Sequence, residues 1–338
     1  MDTLSEVLRA VRLTGAVYFS LDGSTPWVVE TPPGRVIAPH VGSGVEHIIN
    51  YHVVTAGVCW VGLAGETGVR AQAGDVVVFP QGDPHVLSSE PGMRALPDVE
   101  VYRAANQQAI PLCVSLSGGG PERARIVCGF LGCDARPFNP LLGALPRMIH
   151  VPAAREGASA ARTLVDLALA ESTAPRPGSD GLLSRLSEVL FLEVVRFFTE
   201  SLAPDQVGWF AALRDPTVGL ALGRLHERPA HPWTLQSLAR EAGTSRSVLA
   251  ERFSRLVGMP PLQYLARWRI QLAANLLRTT SLGLGEIAER VGYGSEPALS
   301  RAFKRTLGAS PATYRGGKAV ERTRDPDAGT RDPDGRSF

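Results

Sequence analysis

The sequence predicts an α+β chain: an N-terminal β-sandwich or β-barrel with following helices, then an all-α region of two turn-linked helix pairs joined by a linker helix. Three observations predict it. Residues 11–150 carry short β-branched runs such as "HIINYHVV", "GVCWVGL" and "DVVVFP", separated by Gly and Pro, which is strand-and-turn patterning. From about residue 154 the apolar spacing turns helical, as in "AAREGASAARTLVDLALAES". The third observation is charge: residues 1–210 hold 15 Arg against 21 acidic residues, whereas residues 211–318 hold 16 basic against 7 acidic ones.

That asymmetry hides inside a formal net charge of +2, and it predicts that only the second half meets a polyanion. The length of 338 residues suits about two domains, and 44% hydrophobic with 20% charged residues is ordinary globular composition. No apolar run reaches the roughly 18 residues a membrane span needs, so no membrane partner is expected. The first residues include acids and no cleavage-site pattern, which predicts a cytoplasmic protein whose four cysteines are free thiols.

Taken in order, residues 1–150 read as the β domain and residues 151–205 as a helical packing segment. Within the latter, "LLSRLSEVLFLEVVRFFTESL" (182–202) is apolar on more than one side and needs cover from its own β domain or from a second subunit, so a homodimer is expected. Residues 206–217 read as a linker and 218–316 as the basic all-α domain. The tail 317–338 contains "RTRDPDAGTRDPDG" without a large apolar residue, and disorder is expected there.

The basic region repeats itself. In "TLQSLAREAGTSRSVLAERFSRLVG" (234–258), Leu235, Leu238, Ala239 and Ala242 precede Gly243, and Val248, Leu249, Phe253 and Leu256 follow it: two helices around a tight turn, with Ser245 as N-cap. The same scheme recurs with Ile287, Ala288, Val291, then Gly292–Gly294, Ser295, Ala298, Leu299, Phe303 and Leu307. Leu299 and Phe303 stand fifty residues beyond Leu249 and Phe253. Between the units, "PPLQYLARWRIQLAANLL" (260–277) starts on prolines and runs helical for about 16 residues, roughly 24 Å. Such a rod sets the second helices about one duplex turn, ~34 Å, apart.

With its closing Gly308-x-Ser310-Pro311-x-x-Tyr314-Arg315, the whole of 216–316 resembles the double helix-turn-helix DNA-binding domain of AraC/XylS-type transcription regulators. The resemblance implies a double-stranded DNA partner and RNA polymerase as an expected one. It carries base-facing positions onto Arg246, Ser247, Ala250 and Glu251 in the first unit, and onto Glu296, Pro297, Ser300 and Arg301 in the second. Arg246 and Arg301 suit guanine, Glu251 and Glu296 can only accept, and Pro297, where a polar residue is usual, offers apolar contact alone. Arg255, Arg269, Lys304 and Arg305 read as phosphate contacts. Trp268, Phe253 and Phe303 sit at apolar helical positions and read as core.

In the acidic half, "GDVVVFPQGDPH" has the spacing Gly74-x5-Pro80-x-Gly82-x2-His85, a buried strand between two tight turns. It resembles the second signature of cupin barrels, and "NYHVVTAG" a degraded first one, which implies a cupin-like sensor barrel over roughly residues 10–200. Its function has several open readings. Asn50 stands where the first histidine of a cupin metal centre belongs. His52 and His85 remain, His40 could complete a set for Zn or Ni, and Glu46 or Glu66 could add oxygen. Alternatively the histidines only hydrogen-bond, and a small organic effector of unknown identity fills an apolar pocket near Trp27, Tyr51, Trp60 and Phe79. Redox sensing through Cys59, Cys113, Cys128 or Cys133 is a further alternative, and a cupin enzyme fused to a DNA-binding domain is the remotest.

Overall fold

The computed structural model describes residues 3–11, 13, 18–41, 45, 47–105, 112–133, 138–154, 159–174, 176–203 and 206–316. The 317–338 tail and Glu46 lie outside the described residues. The β domain contributes β1 (Tyr18–Ser24), β2 (Val28–Thr31), β3 (His47–Ala56), β4 (Val58–Leu63), β5 (Val69–Gln72), β6 (Val76–Phe79), β7 (His85–Ser88), β8 (Leu112–Ser117), β9 (Arg123–Cys133) and β10 (Ile149–Val151). These strands form two sheets rather than one hydrogen-bonded cylinder: a six-stranded sheet in the order β10-β6-β3-β9-β1-β8 and a four-stranded sheet in the order β2-β7-β4-β5. β1 and β8 run parallel, and every other pairing is antiparallel.

Strand alternation divides β3 cleanly. Val54 points between the sheets, where it meets Leu21, Trp27, Cys59, Val61, Phe79, Leu87 and Ile126. Ile49, Tyr51 and Val53 point the other way and join a second, larger core. Helices α1 (Thr3–Val11), α4 (Pro140–Ala144), α5 (Ser159–Thr173) and α6 (Ser179–Ser201) cover that outer face, whereas α2 (Gly34–Val41) and α3 (Glu100–Ala105) form a separate cluster with Phe19, Ile48 and Phe130. Of the covering helices, α5 and α6 supply Val165, Leu183, Leu190, Phe191, Val194 and Val195 to the larger core.

The C-terminal half is helical throughout: α7 (Trp209–Arg214), α8 (Pro216–Glu227), α9 (Leu235–Glu241), α10 (Arg246–Val257), α11 (Pro261–Thr279), α12 (Leu284–Val291), α13 (Glu296–Leu307) and α14 (Pro311–Arg315). The larger core does not stop at the β domain. It runs through Trp209, Phe210, Leu222 and Leu225 to Leu238, Leu249, Phe253, Tyr264 and Trp268, so one apolar interior joins the outer sheet face to the first helix pair. The second pair has its own core, in which Ile270, Ala273, Ala274 and Leu277 of α11 meet Ile287, Val291, Leu299, Phe303 and Tyr314. At about 1.5–3 kcal/mol per fully buried large apolar side chain, each core holds its helices firmly.

Candidate nucleic-acid interface and sensor interior

The two helix pairs are built alike, residue by residue. Ser245 and Ser295 cap α10 and α13 by accepting from Val248 N and Ala298 N. Gly258 and Gly308 end those helices in the left-handed region, at φ of 79° and 74°, where a side chain would be strained. The repeat also reaches past the helices: Phe253 meets Tyr264 edge-to-face at 5.8 Å, and Phe303 meets Tyr314 the same way at 5.4 Å. A spacing of fifty residues holds for all of these pairs. Before the turns it is forty-nine, since Thr244 N bonds Ala239 O while Tyr293 N bonds Ala288 O. The second turn therefore holds one extra residue, and Gly294 lies in that interval.

On these scaffolds Arg246, Ser247 and Glu251 are exposed on α10 and Ala250 is half-buried, while Glu296, Pro297 and Arg301 are exposed on α13 and Ser300 is half-buried. Arg255, Lys304 and Arg305 are exposed on the same helices. Among the described residues none of the cations Arg246, Arg255, Arg301 and Lys304 has an ion pair. Arg252, by contrast, is tied at 2.7 Å to Asp215, the N-cap of α8. Arg269 is also engaged: its guanidinium donates to Pro229 O at 2.7 Å and His231 O at 2.8 Å, clasping the loop before α9, so its placement corrects the phosphate-contact reading. Val248, which belongs to the apolar spacing of the second helix in the sequence, is 46% exposed beside Ser247. Its apolar character matched the helical pattern, but it falls one step outside the buried stripe of Leu249, Phe253 and Leu256.

Between them, α11 is a 19-residue rod, about 28 Å long. Pro261 starts it at a position that needs no N–H donor. Its first half anchors to α7, to α8 and to the N-terminal domain. Tyr264 accepts from Trp209 Nε1 at 2.9 Å, donates to His226 Nε2 at 2.8 Å and packs edge-on against Phe138 at 5.3 Å. Burial holds the His226 pKa down at about 3, so its ring is neutral and accepts that proton. One turn on, the fully buried Gln271 Oε1 accepts from Phe138 N at 3.0 Å.

The space between the sheets is filled. His85 Nδ1–H donates to Asp83 O at 2.8 Å, so its Nε2 accepts, and His52 Nε2–H donates to it across 2.7 Å. Phe79 stacks on His85 at 3.9 Å with the rings 10° from parallel. Desolvation drives the His52 pKa well below the usual range and that of His85 down to about 4, so both are neutral. His52 Nδ1 and Asn50 Oδ1 are buried without a partner among the described residues. This pair does not fit a Zn or Ni centre, because the nitrogens that would face an ion face each other and one carries the proton. His40 does not join them; it lies in the last turn of α2, and no three His, Cys, Asp or Glu side chains converge among the described residues. Glu66 is committed elsewhere, 2.8 Å from exposed Arg147.

The four aromatics read as a pocket do not form one. Trp27 and Phe79 are core between the sheets, Tyr51 lies on the opposite face of β3, and Trp60 points away from the Cys59–Val61 face of β4. Period-two alternation separates them. The cysteines are divided in the same way. Cys128 and Cys133, an odd number of residues apart on β9, face the inner and outer cores. Burial pushes the Cys59 thiol up to about 12 and Cys128 higher still, which suppresses thiolate chemistry. Cys113, by contrast, is exposed on β8.

Comparison with known proteins agrees with this layout. Residues 2–200 match the cupin family and residues 238–317 a helix-turn-helix domain. The chain is 35% identical to an AraC-like transcription regulator of Streptomyces antibioticus over 319 residues, which is 93% of this chain and 98% of that protein. It is 31% identical to the HTH-type transcriptional regulator AlkR of Acinetobacter baylyi, over 93% of this chain and 99% of that one. Among solved structures, the DNA-binding domain of AdpA in complex with a target DNA is 36% identical, spans 30% of this chain and 92% of its own, and superposes with a TM-score of 0.29. Relatives of this length are named as transcriptional regulators, not enzymes.

Proposed function

The chain belongs to the AraC-like transcription regulators, with a cupin half and a helix-turn-helix half that binds DNA, and from that premise we propose that α10 and α13 read successive major-groove segments under the control of a small effector. The observation that carries this reading is the matched pair itself: two Ser-capped, glycine-ended helices with exposed basic faces on one continuous rod. Arg246 and Arg301 are the guanine-reading candidates, with Ser247, Ala250, Glu251, Glu296, Pro297 and Ser300 beside them. Arg255, Lys304 and Arg305 are the phosphate contacts, and Arg269 instead braces the loop before α9. The protein acts in the cytoplasm and presents its DNA-bound form to RNA polymerase.

Control follows from the shared core. Effector binding that favours one packing of α5 and α6 is felt along α6, where Phe198 meets Phe210 of α7 edge-on at 5.6 Å, and from α7 through Trp209 to Tyr264 of α11. A ligand shifts this equilibrium only by its difference in affinity for the two packings. A homodimer through α6 accompanies this reading, because Leu182 and Val189 leave an apolar stripe exposed two turns apart.

The test is selection of DNA by the full chain from a random duplex pool at moderate salt. The expected product is a motif of two half-sites about one helical turn, ~34 Å, apart. Recovery of unenriched sequence would overturn the reading.

A further inference from the structure

We infer that Arg269 is a positioning residue: with Ala230 and Gly292 it locks the two helix pairs at one mutual angle, and so sets the half-site separation that the protein accepts. This rests on the reading that α10 and α13 enter successive major-groove segments, and it adds what decides their spacing.

Arg269 stands on α11 between Trp268, which belongs to the first core, and Ile270, which belongs to the second. That is where the rod passes from one unit to the other. The side chain leaves the rod and donates through Nε to Pro229 O and through Nη2 to His231 O, which uses the fork of the guanidinium. The loop it grips is stiff. Pro229 and Pro232 restrict its backbone. His231 N bonds Arg228 O at 3.1 Å, Trp233 Nε1 bonds the same oxygen at 3.0 Å, and the Arg228 guanidinium lies over the Trp233 ring at 4.8 Å. Trp233 is buried in the first core, so the loop moves with the first unit.

The second unit meets the same place through a glycine. Gly292 ends α12 at a φ of 85° and opens the turn into α13, which starts four residues later. A Cβ on Gly292 would lie 2.7 Å from Ala230 Cα and 2.8 Å from both Ala230 O and Arg269 Nη2. Gly243 holds the equivalent place in the first unit, at a φ of 67°, and a Cβ there would meet nothing within 4 Å. Left-handed backbone explains a glycine at both turns, whereas only the second is also demanded by a neighbour. Arg269, Ala230 and Gly292 thus form a contact beside the axis of α11. A helix fixes distance along its axis, but bodies attached to it swing with any bend. A contact beside the axis removes that freedom. One added base pair moves a half-site by about 3.4 Å and about 35°, a step that locked readers cannot follow.

Two readouts on the full chain test the lock. The first needs no DNA: double electron–electron resonance between spin labels at Arg255→Cys and Arg305→Cys, with the exposed Cys113→Ser as background. The parent should give one narrow distance, and added Arg269→Met should broaden it. The second is affinity for the selected operator with one base pair added or removed between half-sites. Wild type should lose about tenfold or more, because the duplex must deform to fit, and Arg269→Met about threefold or less. Base preference within each half-site and the salt slope should stay as in wild type. Arg269→Lys keeps the charge without the fork and should behave as Arg269→Met does. Where Arg269→Met fails to fold, the glycines decide: Gly292→Ala should flatten the spacing profile, and Gly243→Ala, under the same backbone strain, should leave it steep. An unbroadened distance or an undiminished spacing penalty overturns the lock. So does uniform weakening at every spacing with a salt slope lower by about one, the mark of a phosphate contact. Selection that yields no paired half-sites defeats the two-reader reading, while the label distance still judges the lock, so the two fail separately.

Discussion

The two helix pairs share a design but not a foundation. The first is joined to the N-terminal domain: its Leu249 and Phe253 lie in the core that begins on β3, and Phe138 packs edge-on against Tyr264, which Phe253 also meets. The second draws its buried side chains from α11 to α14 alone. Equal sequence patterns therefore give unequal mechanical roles. A change in the N-terminal domain meets the first pair directly and reaches the second along α11 and where Ala230 packs on Gly292. Side chains from one face of that helix would not suffice for this double duty, and in the structure Tyr264 and Trp268 serve one core while Ile270, Ala273 and Leu277 serve the other.

The comparison breaks most readily at the two phenylalanines. Phe253→Ala and Phe303→Ala each remove a fully buried ring, at a cost of about 3–5 kcal/mol. Calorimetry should show Phe253→Ala lowering the main transition of the whole chain. Phe303→Ala should split off an early transition for the second unit while the sensor melts as in wild type. Identical single transitions for both would show that the two foundations are one.

Acid sharpens the contrast next. The His85 pKa of about 4 in the folded chain lies below its ordinary value of 6.5, so the unfolded chain binds more protons as pH falls. Stability is full above about pH 6.5 and declines toward pH 4, by roughly 2 kcal/mol at pH 5 for this residue. Urea midpoints at pH 7.5 and pH 5 should show the loss in the sensor transition, and the double variant His52→Leu, His85→Leu should flatten it. A second-unit transition that fell just as steeply would place the sensitive groups elsewhere.

A smaller effect is expected at the tie between the halves. Gln271→Leu removes the acceptor for Phe138 N and should cost about 1–3 kcal/mol, since that N–H is left wanting. It should also weaken any effector dependence of operator affinity while leaving base preference intact. On the DNA itself, Arg246→Ala should relax preference at one position by about 1–3 kcal/mol. Lys304→Ala should weaken all sequences alike and lower the salt slope by about one. Competition binding across single-base operator variants separates these outcomes.

The helical half was legible because its signals are local. Ser245, Gly243 and the Leu249–Phe253 spacing report on neighbours within a turn or two, and the repeat supplied a second copy for comparison. The one-residue slip before Ser295 was less visible, since Leu249, Phe253, Leu299 and Phe303 all lie beyond the turns. The sensor was legible as strands and illegible as a site. Trp27, Tyr51, Trp60 and Phe79 are apolar and close in sequence, but which face each occupies depends on register and on a partner such as Gly129 across the sheet. Ser187, 136 residues from Tyr51, carried no mark in the sequence that paired it with the Tyr51 hydroxyl.

The extra residue in the second turn has a consequence for the genome this protein serves. On the proposed contacts the two recognition helices are unlike, Arg246 with Glu251 on one and Glu296 with Arg301 on the other, and a monomer reading DNA that way cannot sit equally well in either direction on its target. The address it reads has a front and a back, and inverting that address beside a start site would turn the protein's sensor away from the gene.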